Sequence, residues 1–271
     1  MKRTPLWNDL VLEYKLPWRY KKTIDYSIKS INTKIYELNQ FFSKKTKPKN
    51  TDKKVSIIIP TLSKGNQADH FFKLKKLLIK YLPNQTYHNY EAIVLCDGSN
   101  PKVENMVKSL KDRRIRLFIS EKTLGFWGHP LTRKGIELAK GDYFVRMNDD
   151  NIPYKNYLAE LVEGFREDIG VVYGRVVYKE TALKAHGNNF IGKKSRGIPN
   201  NMCTFTIPRD KSGKILRTNI DCMCYLVKIN LAKKYVDSWD NSFAADWFFI
   251  EKLLNEGVKY KFIDKLIGVK R

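Results

Sequence analysis

Short apolar runs alternate with helical patterns from about residue 54 onward. Four runs rich in aliphatic and aromatic residues predict buried strands, at positions 55–59, 92–96, 115–119 and 143–147. The segments between them predict helices, at positions 69–81, 101–110 and 131–139. Strands that alternate in this way with helices indicate right-handed βαβ units. We therefore expect an α/β fold with a mostly parallel, Rossmann-like sheet flanked by helices.

A single apolar stripe predicts a helical appendage over residues 20–42. Isoleucine, leucine and phenylalanine recur there at every third or fourth position, and the lysines lie off this stripe. A lysine-rich stretch containing Pro48 follows and predicts an exposed linker. The helix can pack on the main domain or another subunit, or it can rest on an anionic membrane surface. The sequence thus predicts a basic helical extension, 1–53, and a main domain, 54–271.

The net charge of the chain narrows the classes of molecule that it can bind. The chain has 51 lysines and arginines against 28 acids, a net charge of +23 that favours anionic partners. Nucleic acid is an unlikely partner because the basic residues are dispersed and no nucleic-acid-binding motif is present.

Cys222 and Cys224 alternate around Met223, so we expect two buried thiols on one face of a strand. Because the sequence shows no signal peptide and no run of about 18 apolar residues, we expect a cytoplasmic protein, with a peripheral position at the inner face of a membrane as the alternative.

Polar residues follow three of the predicted strands at the points where the apolar runs end. The first run is expected to stop at Pro60, followed by Thr61, and the second is followed by Asp97, Gly98 and Ser99. The fourth is followed by an Asn-Asp-Asp-Asn segment, residues 148–151. Ligands of open α/β sheets bind beyond the carboxyl ends of the strands. We therefore expect these three segments to share one ligand site.

Asp149 and Asp150 are the strongest candidates for a metal site. Adjacent carboxylates repel each other and usually need a compensating cation. Mg²⁺ and Mn²⁺ prefer oxygen ligands and complete their coordination with substrate phosphates. The alternative is a simple turn, because Asp and Asn are common in turns. The position after a buried strand favours the metal site.

Two further segments suit a nucleotide ligand. Asp97 can accept hydrogen bonds from a base or a ribose, and Gly98 lets the backbone approach closely. The same stretch can instead cap the next helix through Ser99 or Asn100. Arg133 lies near a helix N-terminus, where a basic residue is unfavourable for the helix dipole unless it contacts an anion such as a diphosphate. The alternative is that Arg133 lies on a solvent-exposed face of the helix.

Asp246 lies in a run of apolar and aromatic residues, where an acid is costly unless it is paired or functional. Such surroundings raise the pKa of a carboxyl toward the range that suits a general base. The alternative is an N-cap for a helix that ends near Asn255. His186 could ligate a metal or bind an acceptor, but a lone histidine in a loop is more often neither.

Residues 55–263 resemble family 2 glycosyltransferases of the GT-A fold. The resemblance is carried by residues 55–61, 91–99, 135–151 and 245–247. The Asp-Asp-Asn at 149–151 is similar to a spore-coat-type subgroup. Three positions depart from the common family pattern: Asn148 replaces the first acid of D-x-D, Arg133 is one position out of register, and Ala245 replaces a Glu.

The resemblance implies an inverting glycosyltransferase that uses a nucleotide-diphosphate sugar, expected to be a UDP-sugar, and a glycan or lipid-linked acceptor. It divides the main domain into a nucleotide-sugar half, 54–151, and an acceptor half, 152–271. Mn²⁺ or Mg²⁺ on Asp150 is the implied cofactor, and Asp246 is the implied general base. The residues assigned to the nucleotide sugar are Pro60, Thr61, Asp97, Gly98, Ser99, Arg133 and Asp149. A sugar-phosphate nucleotidyltransferase is the weaker enzyme alternative, because the segment after the first strand lacks a glycine-rich loop.

Overall fold

The computed structural model describes residues 52–62, 67–179, 192–193, 202–205 and 221–270. The helix predicted over 20–42, the lysine-rich linker and His186 lie outside these residues. Within the described ranges, no helix has the length and apolar character needed to cross a membrane.

The described residues form one ten-stranded sheet with helices packed against it. The strands are β1 (Val55–Leu62), β2 (Tyr90–Asp97), β3 (Ile115–Ile119), β4 (Tyr143–Arg146), β5 (Ile152–Pro153), β6 (Val171–Lys179), β7 (Gly192–Lys193), β8 (Met202–Phe205), β9 (Tyr225–Lys228) and β10 (Tyr260–Lys270). The helices are α1 (Gln67–Lys76), α2 (Pro101–Leu110), α3 (His129–Leu138), α4 (Tyr157–Glu163), α5 (Ile229–Lys234) and α6 (Ala245–Asn255). The order across the sheet is β3-β2-β1-β4-β9-β6-β10-β5, with β8 beside β6 and β7 beside β8.

The first four strands are parallel, and the predicted α/β class is confirmed. β1 lies between β2 and β4, and β2 also pairs with β3. The apolar runs of β1, β2 and β4 are buried because helices cover both faces of a parallel sheet. β3 lies at the edge of the sheet and is only partly buried. All four runs read from the sequence are therefore strands, of which β1, β2 and β4 build the core of the first half and β3 forms its edge.

β1 does not end at Pro60, as the sequence led us to expect, but continues to Leu62. Its pairing with β2 extends to Leu62, whereas its pairing with β4 ends at Ile58, whose carbonyl accepts from Met147. Peptide groups along a strand alternate in direction, so the backbone N and C=O of Pro60 point to the same side as those of Ile58. On that side β4 has already ended. No ladder hydrogen bond is lost there, because the missing N–H of proline would have had no strand partner on that side.

The second half extends the sheet with mainly antiparallel pairs. β9 pairs antiparallel with both β4 and β6, β10 runs parallel to β6, and β5 closes the edge antiparallel to β10. Trp239 is completely buried and contacts Phe144 and Phe249, which ties β4 to α6. The sheet therefore runs without interruption from the predicted parallel strands to the region around Asp246.

The predicted strand position of Cys222 and Cys224 is wrong. Residues Cys222–Cys224 form a 3₁₀ turn, and β9 begins only at Tyr225. The Asp221 carboxylate caps this turn by accepting a hydrogen bond from the Met223 amide at 2.9 Å. A carboxylate that accepts hydrogen bonds from nearby backbone N–H groups stabilises a tight turn relative to an extended strand. Both thiols are nevertheless buried, as predicted.

Candidate active site

Asp97 ends β2 and fixes the loop that leads to α3. Its carboxylate accepts hydrogen bonds from the amides of Leu124, at 2.6 Å, and Gly125, at 2.9 Å. The side chain is buried, and these two hydrogen bonds hold both oxygens of the carboxylate against the loop. Gly98 has a φ of +90°, a conformation that a residue with a Cβ rarely adopts. Asp97 therefore lies at the predicted strand end and also organises the neighbouring loop.

The next helix is capped as one of the sequence alternatives proposed. The Asn100 side chain accepts from the Val103 amide at 3.3 Å, and Pro101 occupies the first turn of α2. Ser99 is exposed and donates to Glu104 at 3.2 Å. Its assignment to the nucleotide sugar remains a prediction.

Thr61 and Asp149 meet at the carboxyl ends of β1 and β4. The Thr61 hydroxyl donates to the Asp149 carboxylate at 3.1 Å, and His70 of α1 lies 3.1 Å from the same carboxylate oxygen. Burial raises the pKa of Asp149, and the nearby His70 partly offsets that increase. The structure thus brings two strand ends together as the sequence predicted, and it adds a histidine that the sequence analysis did not single out.

Asp150 and Asn151 carry buried polar atoms that suit a cation or a polar ligand. Within the described residues, the Asp150 Oδ1 atom and both polar atoms of the Asn151 amide have no hydrogen-bond partner. The segment does bend as a turn, because the Asn151 amide donates to the Asn148 carbonyl at 3.2 Å. Buried polar atoms normally have partners, and a buried carboxylate oxygen is the ligand type that Mg²⁺ and Mn²⁺ prefer. The residues therefore fit the predicted ion.

Arg146, at the end of β4, is a buried cation that joins three segments. Its Nη1 atom donates to the Cys222 sulfur at 3.1 Å, and its Nη2 atom donates to the Trp127 carbonyl at 2.8 Å. Desolvation lowers the pKa of this guanidinium, but the negative groups around it, including Asp246, outweigh the loss and raise it. Arg146 therefore stays charged and joins the Trp127 loop to the turn that contains Cys222.

Asp246 is the second residue of α6 and is partly exposed. The helix is capped at Ala244, so Asp246 is not the N-cap that the sequence offered as an alternative. Desolvation raises the pKa of Asp246 to about 6, and the charge of Asp221 adds to the increase. Lys270 of β10 lies 2.9 Å from the Asp221 carboxylate and, with Arg146, limits that increase.

Asp221, Cys222 and Asp246 form a compact group that could in principle share an ion. Their ligand atoms lie within 4.8 Å of one another. However, Lys270 already pairs with Asp221, and Arg146 already bonds to Cys222. Burial also raises the pKa of the Cys222 thiol to about 12, and a protonated thiol is a poor metal ligand. We interpret this group as an ion-paired cluster around Asp246, and Asp150 remains the predicted metal ligand.

Arg133 contacts the segment that precedes α6. Its Nη1 atom donates to the Trp239 carbonyl at 2.6 Å and to the Asn241 side chain at 2.9 Å. His129 accepts a hydrogen bond from the Trp239 indole at 2.9 Å, and burial lowers its pKa to about 4. Arg133 therefore ties α3 to the Asp246 segment, and its predicted contact with a diphosphate is still untested.

Four residues of the site were not singled out from the sequence: His70, Arg146, Asp221 and Lys270. Arg146 did give a usable signal, because a charge inside an apolar strand must find a partner or a function. His70 and Lys270 gave none, since one lies on a helix face and the other is one of many lysines.

The fold is that of the GT-A glycosyltransferases, because solved structures of this class superpose on the chain. Mannosyltransferase PcManGT from Pyrobaculum calidifontis, in complex with GDP-Man and Mn²⁺, matches with a TM-score of 0.59 and 14% identity over 90% of this chain and 66% of that chain. TarS 1-349 from S. aureus, in complex with UDP-GlcNAc, matches with a TM-score of 0.55 and 18% identity over 80% of this chain and 59% of that chain. At these identities the likeness shows the fold alone.

The chain belongs to glycosyl transferase family 2, because the model of that family matches residues 56–229. An uncharacterized glycosyltransferase of Rickettsia bellii (strain RML369-C) is 30% identical over 130 residues, which are 47% of this chain and 17% of that protein. The GalNAc(5)-diNAcBac-PP-undecaprenol beta-1,3-glucosyltransferase of Campylobacter jejuni is 27% identical over 145 residues, 52% of this chain and 43% of that protein. The chain spans less than half the length of both curated relatives.

Proposed function

We propose that the chain is an inverting glycosyltransferase that moves a sugar from a nucleoside-diphosphate sugar to a hydroxyl of a glycan or lipid-linked acceptor. The observation that carries the proposal is the position of Asp246, which lies beside the buried Arg146 at the end of β4. Asp149 follows the same strand, and β1 and β2 bring Thr61 and Asp97 to the same edge. Family membership supports the reaction class.

Asp246 is the proposed general base. A carboxyl with a pKa of about 6 is largely ionised at neutral pH and is more basic than an exposed aspartate. It would take the proton of the acceptor hydroxyl while the hydroxyl oxygen forms a bond to C1 of the donor sugar. The bond between C1 and the diphosphate oxygen breaks on the opposite face, and its electron pair leaves with the nucleoside diphosphate. Such a single displacement inverts the anomeric centre.

The donor half of the site is assigned to the strand ends. Thr61, Asp97 and Asp149 would bind the base and ribose, and Pro60, Gly98, Ser99 and Arg133 would line the same site. Asp150 would hold Mn²⁺ or Mg²⁺, which supplies charge stabilisation of the leaving diphosphate when bound. The donors named in the solved relatives, GDP-Man and UDP-GlcNAc, support a nucleotide sugar. We propose a UDP-sugar here, and assignment to the spore-coat-type subgroup is a further part of the proposal.

The competing functions have less support. Membership of a glycosyltransferase family does not favour a nucleic-acid-binding protein, even with a net charge of +23. It also does not favour a sugar-phosphate nucleotidyltransferase. The name of the Campylobacter jejuni relative includes an undecaprenol-linked chain, which supports a lipid-linked glycan as one acceptor to test.

The replacement Asp246→Asn tests the general base. We expect the transfer rate constant kcat to fall by about 100-fold or more, because the amide cannot accept the proton, whereas KM for the donor changes little. Initial rates with UDP-sugars, Mn²⁺ and a panel of glycan acceptors would measure both quantities. Asp237→Asn is the matched control, since Asp237 is an exposed acid nine residues earlier. Equal rates in wild type and Asp246→Asn would remove Asp246 from the proposed mechanism.

A further inference from the structure

Two exposed aromatic side chains contact each other: Trp127, and Phe243 just before the helix that carries Asp246. We call them the aromatic platform. Trp127 is 59% exposed and Phe243 is 63% exposed. Their ring centroids are 5.7 Å apart in an edge-to-face arrangement. Phe243 precedes Asp246 by three residues, and the Trp127 carbonyl is held by Arg146, which interacts electrostatically with Asp246. Both halves of the platform are thus tied to the candidate base.

The backbone beneath the platform is strained. Phe126 and Trp127 have φ values of +51° and +52°, and Lys111 is the other non-glycine residue with a positive φ in the described part of the chain. L-residues avoid this region, and two such residues in succession persist only when neighbouring contacts enforce the conformation. Two hydrogen bonds supply those contacts. Arg146 donates one to the Trp127 carbonyl, and the Gly125 N–H donates the other to the Asp97 carboxylate. The strained loop carries the largely exposed Trp127, so its ring does not serve the packing of the core.

We propose that the aromatic platform binds the C–H face of a sugar ring of the acceptor and so holds the acceptor hydroxyl at Asp246. A pyranose ring presents C–H groups on its faces and hydroxyls around its rim. Aromatic faces carry partial negative charge, so C–H groups pack on them with burial of apolar area and weak electrostatic attraction. This inference rests on the proposed function and deepens it. It specifies the class of acceptor, which should contain a sugar ring and should not be an acyclic polyol.

A lipid surface is the other ligand that exposed aromatic rings suit. The ion-paired cluster around Asp246 balances two carboxylates, Asp221 and Asp246, against two cations, Arg146 and Lys270. The cluster therefore presents no net positive charge that would attract anionic lipid headgroups. A neutral sugar ring needs no such charge, and its hydroxyls can donate hydrogen bonds to the Asp246 carboxylate.

Saturation-transfer NMR tests the platform without relying on activity. The probes are methyl glycosides of glucose, galactose and N-acetylglucosamine, added to the full chain with UDP and Mn²⁺, and ribitol serves as the acyclic control. We expect at least one glycoside to receive saturation on its ring C–H protons, and ribitol to receive none. Trp127→Ala should weaken that binding by about tenfold, Phe243→Ala should also weaken it, and Trp127→Tyr should retain most of it. Phe262→Ala, at an exposed aromatic on β10, is the matched control and should bind as wild type does.

Several results would overturn the platform. These are no saturation of any glycoside by wild type, equal signals from ribitol and the glycosides, or unchanged signals in both Trp127→Ala and Phe243→Ala. Circular dichroism of each variant excludes unfolding as the cause of a lost signal. If Trp127→Ala instead loses binding to anionic vesicles and keeps the glycoside signal, the platform is a lipid contact. Failure of the proposed function is distinct, because wild type would then bind glycosides without any transfer from nucleotide sugars.

Discussion

Asp246 lies among charges that act on its ionisation in opposite directions. Desolvation and the Asp221 carboxylate favour the neutral acid, whereas Arg146 and Lys270 favour the carboxylate. The folded-state pKa of about 6 exceeds the ordinary value of 3.8, so the folded protein binds this proton more tightly than the unfolded chain does. The protonated carboxyl therefore contributes stability below pH 4, and that contribution is lost as pH rises from about 4 to 6. The same proton must be absent before Asp246 can act as a base.

The pH dependence of transfer should therefore report Asp246. We expect kcat/KM to fall on the acid side with an apparent pKa of about 6, because protonation removes the base. The groups that face Asp246 are Asp221, Cys222, Arg146 and Lys270, and Lys270→Gln should move the acid limb to higher pH by removing a positive charge. Initial rates between pH 4.5 and 8.5 measure the limb. An acid limb at the same pH in wild type and Lys270→Gln would contradict this electrostatic account.

At the scale of elements, the turn between β3 and α3 is built against the end of β1. Gly128 has a φ of +77°, and a Cβ placed there would lie 2.7 Å from the Pro60 Cβ. Gly257 has a similar φ of +75° and no atom within 4 Å of the same added Cβ. The two glycines therefore share one backbone requirement and differ only in the close approach to β1.

Comparison of Gly128→Ala with Gly257→Ala isolates that close approach. We expect Gly257→Ala to destabilise the fold by about 1 kcal/mol, the cost of a left-handed conformation for an L-residue. Gly128→Ala should cost about 1–3 kcal/mol more because β1 must move or the turn must open. Urea denaturation monitored by tryptophan fluorescence gives both free energies of unfolding. Equal losses in the two variants would show that the turn gives way without disturbing Pro60.

The sequence predicted the parallel half of the fold well and the other half poorly. β1, β2 and β4 are buried on both faces, so their apolar runs were recognisable without an alternating pattern. β10 mixes Lys261, Asp264 and Lys265 with apolar residues and lies partly exposed, and its pattern resembles neither a strand nor a helix. β9 follows a capped turn whose cysteines resembled part of a strand. Antiparallel additions of this kind depend on long-range packing, which local periodicity does not reveal.

The candidate site divides in the same way. Thr61, Asp97 and Asp149 follow from the rule that ligands bind beyond parallel strand ends, and the structure brings Thr61 and Asp149 into contact. The cluster around Asp246 needs Arg146, Asp221 and Lys270, which lie far apart in sequence. Their pairing is set by the order β4-β9-β6-β10 across the sheet, and no local motif encodes that order.

At the scale of the whole molecule, ligand binding should raise thermal stability through the proposed metal site. UDP with Mn²⁺ at about 100 times its Kd adds about 2.7 kcal/mol to the folded state, a rise in Tm of about 5 °C or more. We expect Asp150→Asn to lose the part of this shift that depends on Mn²⁺, because it removes a ligand charge. Differential scanning fluorimetry with UDP alone, with Mn²⁺ alone and with both measures that part. A full Mn²⁺-dependent shift in Asp150→Asn would place the ion elsewhere, and Asp237→Asn is the control.

The extension, residues 1–53, has its own test. If the stripe over 20–42 forms a basic helix on an anionic membrane, removal of residues 1–50 should abolish binding to anionic vesicles. Co-sedimentation of both proteins with phosphatidylglycerol vesicles measures this, and phosphatidylcholine vesicles serve as the uncharged control. Undiminished binding by the shortened protein would assign any membrane affinity to the remaining basic surface.

The place of β10 in the sheet sets an order of assembly during synthesis. β1 to β4 pair with one another within residues 55–146, so this part of the sheet can form while the rest of the chain is being made. β10 is the last described strand to be synthesised, yet it lies between β6 and β5, which are made much earlier. Until it docks, Asp221 and Asp246 lack the positive charge of Lys270, which leaves Arg146 alone to offset their mutual repulsion. A nascent chain should thus fold residues 54–151 first, and the proposed base should reach its folded-state surroundings only when β10 has inserted.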